Sequence, residues 1–354
     1  MILQKNTFLA AFFALSTVSG INHAIAATNI SFNDTVSSDS VPITENITSP
    51  VNIALIYPSA DISDYWVRNY KAMVGRLEEL NIPYTIKEYS SLQIEHFLQS
   101  KYVDEVTENA KDFDFVIFGP TELKIQSDNI QKLSKSDEFH TFIWAFHTPD
   151  PTWDHSPDAW FDFSSAQGAK ALCDALIQKL GNDVYFALNR GIPGITDTQR
   201  SQLFSDCVEQ KADWLNVYEH FGQYQKGGGS DGAHLIIKNF PEVALLHNAN
   251  TAMTIGAIEA IKDEGKLDDI FVTGWGGTAK EIEKIKSGEL NATPMRMSDD
   301  AGVATAEAIK YYLQDRKDEV PNIYLGRITV VTSDMDVSQI NALSVEAFRY
   351  SSKQ

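Results

Sequence analysis

The chain is poor in basic residues. Lysine and arginine together number 29 against 48 aspartates and glutamates, which gives a formal net charge of −19, and only eight of the basic residues are arginines. Nucleic acids and anionic membrane surfaces attract proteins through basic patches. The charge balance therefore argues against nucleic acid and anionic membrane surfaces as partners, and an anionic ligand would have to be held by local cations. Direct membrane insertion is not expected either, because no run after the start of the chain is long and apolar enough.

Common enzyme motifs are also missing. The sequence has no Walker A motif and no H-E-x-x-H, and its eight histidines show no paired spacing typical of metal ligands. We therefore expect no metal site, no cofactor and no catalytic residues, so the protein is predicted not to be an enzyme.

Long apolar runs are confined to the start of the chain. Lys5 precedes an apolar run over residues 8–18, and residues 24–26 read Ala-Ile-Ala, so residues 1–26 are predicted to be a cleaved signal peptide. No later run approaches the ~20 apolar residues that a membrane span needs. We expect a soluble protein exported to the periplasm. Residues 27–50, rich in Ser, Thr, Asn and Asp, are predicted to be a flexible leader.

Cysteine is scarce as well. Cys173 and Cys207 fall on two predicted helices of the same region. Export to an oxidising compartment makes a disulfide possible, but a buried free thiol also packs as a small hydrophobe. The sequence leaves both alternatives open.

Strands and helices alternate from Val51 onward, which predicts an α/β fold with parallel sheets. Near-continuous apolar runs such as residues 51–57 are typical of strands covered on both faces. The predicted strands are 51–57, 84–89, 113–118, 141–146, 159–163, 183–188, 214–220, 243–248, 271–274 and 323–331. Helices are predicted between them, including 95–111, 122–134, 165–180, 197–211, 231–239 and 251–264.

Proline and glycine clusters interrupt this alternation of strands and helices. Residues 147–151, residues 274–277 and a return near 323–327 look like three crossings between two Rossmann-like lobes, and residues 227–230 (Gly-Gly-Gly-Ser) look like a flexible loop. This predicts an N-terminal lobe of residues 51–147 and 275–322. The C-terminal lobe would hold residues 148–274 and 323–354.

Residues 295–300, which read MRMSDD, place Arg296 at the end of a predicted strand. Carboxyl ends of parallel strands line the ligand crevice of open α/β sheets, and a guanidinium offers a planar set of donors to an anion or a polyol. The alternative is a structural ion pair with Asp299 or Asp300. Adjacent aspartates more often cap the following helix and complement its dipole than act as a carboxylate pair.

Four stretches together resemble a known family. They are residues 62–69 (ISDYWVRN), 274–277 (GWGG), 295–300 (MRMSDD) and 347–351 (AFRYS). In order and spacing they are similar to the LuxP-type receptors for autoinducer-2, the quorum-sensing signal of vibrios, within the type I periplasmic binding proteins. The resemblance runs from about residue 51 to 351. It implies two lobes joined by three crossings, with the ligand in the cleft between them.

The resemblance also implies which residues bind the ligand. Two arginines, one from each lobe, and two tryptophans would hold a furanosyl borate diester, with boron present only as part of the ligand. The chain departs from the family pattern at Asp61, Ala145, Asn250 and Ala252. The predicted ligand-binding residues are Asp61, Ser63, Trp66, Arg200, Asn250, Thr251, Trp275 and Arg296. Ser63, Asn250 and Thr251 are equally well placed to cap helices.

Two functions follow as hypotheses. The first is a periplasmic receptor that binds a small cyclic polyol, such as autoinducer-2, and relays lobe closure to a membrane sensor histidine kinase in two-component signalling. The alternative is a sugar-type substrate-binding protein that delivers its ligand to a membrane transporter. Both use the same cleft and differ in the partner.

Overall fold

A computed structural model describes residues 31–58, 64–92, 94–121, 124–144 and 152–352. Among these residues no helix is both long and apolar enough to cross a bilayer. The predicted signal peptide lies outside the described residues and stays a prediction.

The described residues contain twelve strands, which carry the fold. The strands are β1 Val51–Pro58, β2 Tyr84–Ser91, β3 Phe115–Phe118, β4 His140–Trp144, β5 Ala159–Phe163, β6 Tyr185–Arg190, β7 Leu215–Phe221, β8 Leu245–Asn248, β9 Phe271–Thr273, β10 Ala292–Arg296, β11 Ile323–Gly326 and β12 Ile328–Thr332.

The helices lie between and around these strands. They are α1 Phe32–Ser37, α2 Tyr65–Glu79, α3 His96–Glu108, α4 Ile125–Ser134, α5 Ser165–Leu180, α6 Ile195–Asp197, α7 Leu203–Ala212, α8 Lys226–Asn239, α9 Thr251–Asp263, α10 Ala279–Lys286, α11 Asp300–Leu313 and α12 Val337–Ala347. Ala110–Asp112 and Lys317–Glu319 form short 3₁₀ turns, and Thr198–Gln202 is π-helical.

The strands form two six-stranded sheets. The first has the order β11-β5-β4-β3-β1-β2 and the second the order β12-β10-β9-β8-β6-β7. All pairings are parallel except that of β10 with β12. Each sheet has a buried apolar cluster on both faces, as the continuous apolar strands predict. The predicted two-lobed α/β fold is confirmed.

The crossings differ from two of the three predicted positions. Strand β5 still belongs to the first sheet, so the chain first crosses between Phe163 and Ser165, after the predicted segment 147–151. Strands β9 and β10 both lie in the second sheet, so the second crossing follows Arg296 rather than residues 274–277. The third crossing, at Arg327, lies within the predicted stretch and divides the predicted strand 323–331 between the two sheets.

The lobe boundaries change accordingly. The first lobe contains β1–β5, helix α11 and β11, and the second contains β6–β10, β12 and α12. The prediction was wrong because it took glycine and proline clusters as crossings. Gly276 and Gly277 have φ of 116° and 61° and instead bring the chain close to β10, where a Cβ on Gly277 would lie 2.4 Å from Met295 Cα.

The predicted flexible leader is wrong over residues 32–37, which form a packed helix. Helix α1 buries Phe32 and Val36 in the first lobe, where the Phe32 ring packs edge-on against Tyr311. The Arg76 guanidinium donates to the carbonyls of Thr35 and Ser38. The prediction followed the polar composition of this segment and overlooked Phe32 and Val36. These residues are four apart and therefore lie on one face of α1.

The predicted loop at residues 227–230 is also wrong, because these residues form the start of α8. The glycines serve close helix packing: a Cβ on Gly229 would lie 2.2 Å from the Met253 carbonyl oxygen of α9. Residues 228–232 (GGSDG) match the G-x-S-x-G pattern of hydrolase nucleophiles, but they lie inside a helix and not at the strand-to-helix turn which that chemistry needs.

The sequence left open whether Cys173 and Cys207 are bonded or free. In the structure they form a disulfide between α5 and α7, with the Cα atoms 6.2 Å apart. The bond closes a loop of 34 residues. Loop-closure entropy gives such a crosslink a stabilisation of roughly 3–4 kcal/mol.

Candidate functional site

Strand ends from both sheets meet around the guanidinium of Arg296. Arg296 is the last residue of β10, and its Cζ lies 4.0 Å from the ring centre of Tyr65, the first residue of α2 in the other lobe. The ring of Phe163, the last residue of β5, is 5.8 Å away. Arg296 is only 6% exposed. The two lobes therefore contact each other through this stack of a cation on aromatic rings.

The Arg296 guanidinium has no acceptor among the described residues. It forms no salt bridge or hydrogen bond with them, and its Nε is buried without a partner there. Burial, together with the charge of Arg200, lowers the pKa of Arg296 to about 10, against the opposing effect of Tyr65. The group stays cationic at neutral pH, so it is a buried charge with donors that a ligand can satisfy.

Arg200 lies near this cation and is also 6% exposed. It sits on the π-helical segment that precedes α7. Its Nε and Nη1 donate to neutral acceptors at long distances, 3.5 Å to the Ser165 hydroxyl and 3.3 Å to the Ala249 carbonyl. Its Cζ is 5.6 Å from the Trp275 ring centre. π-Helical segments are frequent at functional sites.

Trp275 is fixed in place by its buried side chain and by the hydrogen bonds of its loop. Its side chain is 1% exposed, and a Cβ on Gly168 would lie 3.1 Å from the indole ring. The buried Glu281 carboxylate accepts hydrogen bonds from the backbone N–H groups of Trp275 (3.1 Å) and Gly277 (2.8 Å) and from the Thr293 hydroxyl (2.8 Å). Burial raises the pKa of Glu281 in spite of these donors. Glu281 thus fixes the loop that presents Trp275.

Two of the predicted ligand contacts already bond within the protein. The Asn250 side-chain oxygen Oδ1 accepts from the Met253 N–H and caps α9, and the side-chain amide donates to the Tyr224 backbone carbonyl. The Thr251 hydroxyl is buried, 3.2 Å from the Thr278 hydroxyl and 3.5 Å from the Trp275 carbonyl. The structure thus shows the capping role of Asn250 and a bond from Thr251 to the Trp275 loop. Their ligand contacts stay predictions.

Trp66 follows Tyr65 on α2 and packs in the first lobe. A Cβ on Gly119, just after β3, would lie 2.7 Å from its ring, so glycine is required there. The Trp66 and Tyr65 ring centres are 5.0 Å apart. Asp61, Ser63 and Ala145 lie outside the described residues.

Both arginines come from the second lobe, which corrects the prediction of one from each. Arg296 was assigned to the N-terminal lobe because residues 274–277 were taken as a crossing, but β10 pairs with β9 and β12 in the second sheet. The first lobe contributes aromatic rings and a carboxylate instead.

That carboxylate, Asp162, was missed by sequence reasoning, as were Tyr65, Phe163 and Glu281. Asp162 is half-buried near the end of β5, and its Oδ1 accepts from the Phe163 N–H at 2.6 Å. Burial raises its pKa to about 6, although the positive charges of Arg200 and Arg296 oppose the shift. The sequence signal that could have found Asp162 is its place among aromatic residues at a strand end, AWFDF.

The chain is similar to known proteins. A family model described as the periplasmic binding protein domain matches residues 53–317. The ribose import binding protein of Bacillus subtilis (strain 168) is 26% identical over 154 residues, which is 43% of this chain and 49% of that protein. The protein of the same name from Salmonella typhimurium is 26% identical over 152 residues, 42% of this chain and 50% of that protein. The alignments thus span about half the length of these relatives.

Solved structures resemble the chain more widely. An ABC transporter periplasmic solute binding protein from Actinobacillus succinogenes with bound D-allose has a TM-score of 0.70 at 18% identity, over 82% of this chain and 99% of that one. One from Agrobacterium vitis with bound D-fucose reaches 0.73 at 18% identity, over 82% and 98%. The fructose-binding periplasmic domain of a hybrid two-component system reaches 0.72 at 13% identity, over 85% and 95%. At these identities the likeness concerns the fold.

Proposed function

Since the chain belongs to the periplasmic binding protein domain family, we propose that it is an exported receptor that binds a small sugar-like polyol between its lobes and delivers it to a membrane transporter. The ribose import binding proteins it resembles, and structural relatives with bound D-allose and D-fucose, support a sugar-type ligand. The role is binding without turnover, and the protein needs no cofactor. Its location is the periplasm.

The Arg296 guanidinium is the observation that carries this proposal. A buried cationic donor without an acceptor is costly, by roughly 1–3 kcal/mol or more for each unsatisfied group. Oxygen atoms of a polyol, placed against Arg296 and within reach of Arg200, would satisfy these donors when the lobes close. A ligand that touches both lobes biases the hinge toward the closed form.

The aromatic rings support the same ligand class. Tyr65, Phe163 and Trp275 surround the two guanidiniums with apolar faces. Small-ligand sites combine such faces with a few fixed polar groups, which matches the C–H faces and hydroxyl edges of a small sugar ring. Thr251 and Trp66 are proposed to complete the site, as are Asp61 and Ser63.

Calorimetry on the mature chain tests the proposal with D-ribose, D-allose and D-fucose as probes. For the sugar that binds, Arg296→Ala should lower the affinity by about 2 kcal/mol or more, roughly thirtyfold, because a charge-assisted contact is lost. Arg316→Ala is the matched control, since Arg316 is an exposed arginine paired with Glu319. Equal affinity of wild type and Arg296→Ala would reject the site.

A second candidate ligand is favoured by the closeness of two guanidiniums. The charge of Arg200 lowers the pKa of Arg296, and an anion between the two guanidiniums would be attracted by both. The borate diester of autoinducer-2 is such an anion, as the resemblance to LuxP-type receptors implies, with a sensor histidine kinase as the partner. The fructose-binding domain of a two-component system supports the use of this fold in sensing.

Titration with autoinducer-2 in the presence and absence of borate separates the two candidates. Borate-dependent binding together with capture of a sensor periplasmic domain would favour signalling. Binding of a neutral sugar together with capture of a permease would favour transport.

A further inference from the structure

His247 contacts Arg200 and Trp275, two of the predicted ligand-binding residues of the second lobe. It belongs to β8 and is 0% exposed. Its ring stacks on Phe204 with centres 4.6 Å apart and meets the Trp275 ring edge-on at 6.1 Å. Its Nε2 is 3.2 Å from the Arg200 carbonyl oxygen, and its Nδ1 is 2.8 Å from the Thr273 hydroxyl.

These partners fix the tautomer of the imidazole. A carbonyl oxygen can only accept, so Nε2 carries the proton and donates to Arg200. Burial lowers the pKa of His247 to about 4, so Nδ1 is unprotonated at neutral pH and accepts from the Thr273 hydroxyl. The ring is therefore a neutral, oriented link from β8 and β9 to the π-helical turn.

We propose that His247 is the positioning residue that sets the place of Arg200 in the cleft. It bonds the backbone of the π-helical segment Thr198–Gln202 at the arginine itself. Through Phe204 it packs against the next turn of the same helix, and through its edge it packs against Trp275. The consequence for ligand affinity rests on the proposed function, because it requires Arg200 to contact the ligand.

Two variants, His247→Gln and His247→Asn, test the roles of the two ring nitrogens separately. In His247→Gln the side-chain amide can still reach the position of Nε2 and donate to the Arg200 carbonyl. In His247→Asn the shorter amide can reach only the Thr273 hydroxyl. A purely structural histidine predicts equal effects, whereas positioning of Arg200 predicts that Gln rescues and Asn does not.

Nuclear magnetic resonance of the ligand-free mature chain tests the positioning directly. The ¹⁵N spectrum of His247 should show the Nε2–H tautomer, and the hydrogen exchange of the Arg200 Nε–H should accelerate about tenfold in His247→Asn but stay near wild type in His247→Gln. An Nδ1–H tautomer, or the same exchange rate in both variants, would overturn the proposal. Thermal unfolding shows that both variants are folded before they are compared.

A double-mutant cycle then links the position to binding, with D-ribose and borate-treated autoinducer-2 as probes. His247→Asn should weaken binding of the active probe about tenfold in the wild-type background and by less than twofold in the Arg200→Ala background. Equal losses in both backgrounds would overturn the link to Arg200. If neither probe binds the wild type, the proposed ligands are wrong, and the exchange measurement still decides the positioning of Arg200.

Discussion

The charge of Asp162 decides how much positive charge the two arginines present to a ligand. Its pKa is raised to about 6 by burial, above the ordinary value of 3.8. The folded protein therefore binds a proton that the unfolded chain releases between about pH 4 and 6. By linkage, this group favours folding most at low pH, and its contribution falls as the pH rises through 6.

Asp162→Asn should for this reason be more stable than wild type at pH 7, and the difference should shrink as the pH falls from 7 to 4. Urea unfolding at several pH values measures it. Asp231→Asn, on an exposed part of α8, is the control and should show a much smaller pH-dependent difference. A constant difference between Asp162→Asn and wild type across this range would mean that burial does not raise the pKa of Asp162.

Sequence reasoning at the residue scale proposed Arg200, Arg296 and Trp275, which the structure places near one another, but it missed the groups around them. Arg296 could be predicted because a cation at a strand end is rare in an acidic chain. Tyr65 could not, since it has no distinctive local signal, and Asp162 is marked only by its place near the end of an aromatic strand. The Tyr65 ring and the Asp162 charge lie near Arg296 because α2 and β5 belong to the first lobe and the second crossing follows β10. Which residues of the two lobes become neighbours depends on where the chain crosses between the lobes. The sequence-based prediction misplaced two of these crossings.

At the element scale, strand positions were predicted well because apolar runs covered on both faces stand out from their surroundings. Helix α8 shows where the same reasoning fails. Three consecutive glycines weaken a helix by their intrinsic propensity, so a loop was expected. The packing of α8 against α9 overrides this preference, because the backbones approach too closely for side chains at Gly229.

Substitutions in α8 test this account of the glycines. Gly229→Ala should cost about 1–3 kcal/mol of unfolding free energy, because the new methyl group overlaps the Met253 carbonyl of α9. Gly227→Ala is the matched control: its Cβ would meet nothing within 4 Å, so alanine should be neutral or stabilise by up to ~1 kcal/mol. Both are measured by urea unfolding, and equal losses for the two variants would contradict the packing explanation.

At the scale of the whole molecule, the chain end connects the lobes a fourth time. Phe348 packs in the second lobe and Tyr350 in the first. Asp299, at the second crossing, was predicted to cap α11 but forms no capping bond. Its carboxylate instead accepts from the Tyr350 N–H (2.7 Å), the Ser351 N–H (2.8 Å) and the Ser351 hydroxyl (2.6 Å). The motifs at residues 295–300 and 347–351 thus form one unit at the hinge.

Asp299→Ala should therefore destabilise the protein by about 2–4 kcal/mol, because it leaves two buried backbone N–H groups without an acceptor and removes a charge-assisted bond. Ser351→Ala removes only the hydroxyl and should cost about 1 kcal/mol. Ser352→Ala is the control, since the Ser352 hydroxyl bonds only locally, to the Phe348 carbonyl. Urea unfolding gives all three values. If Asp299→Ala were no more harmful than Ser352→Ala, the carboxylate would not hold the chain end against the second crossing, and the fourth connection would have to rest on the packing of Phe348 and Tyr350 alone.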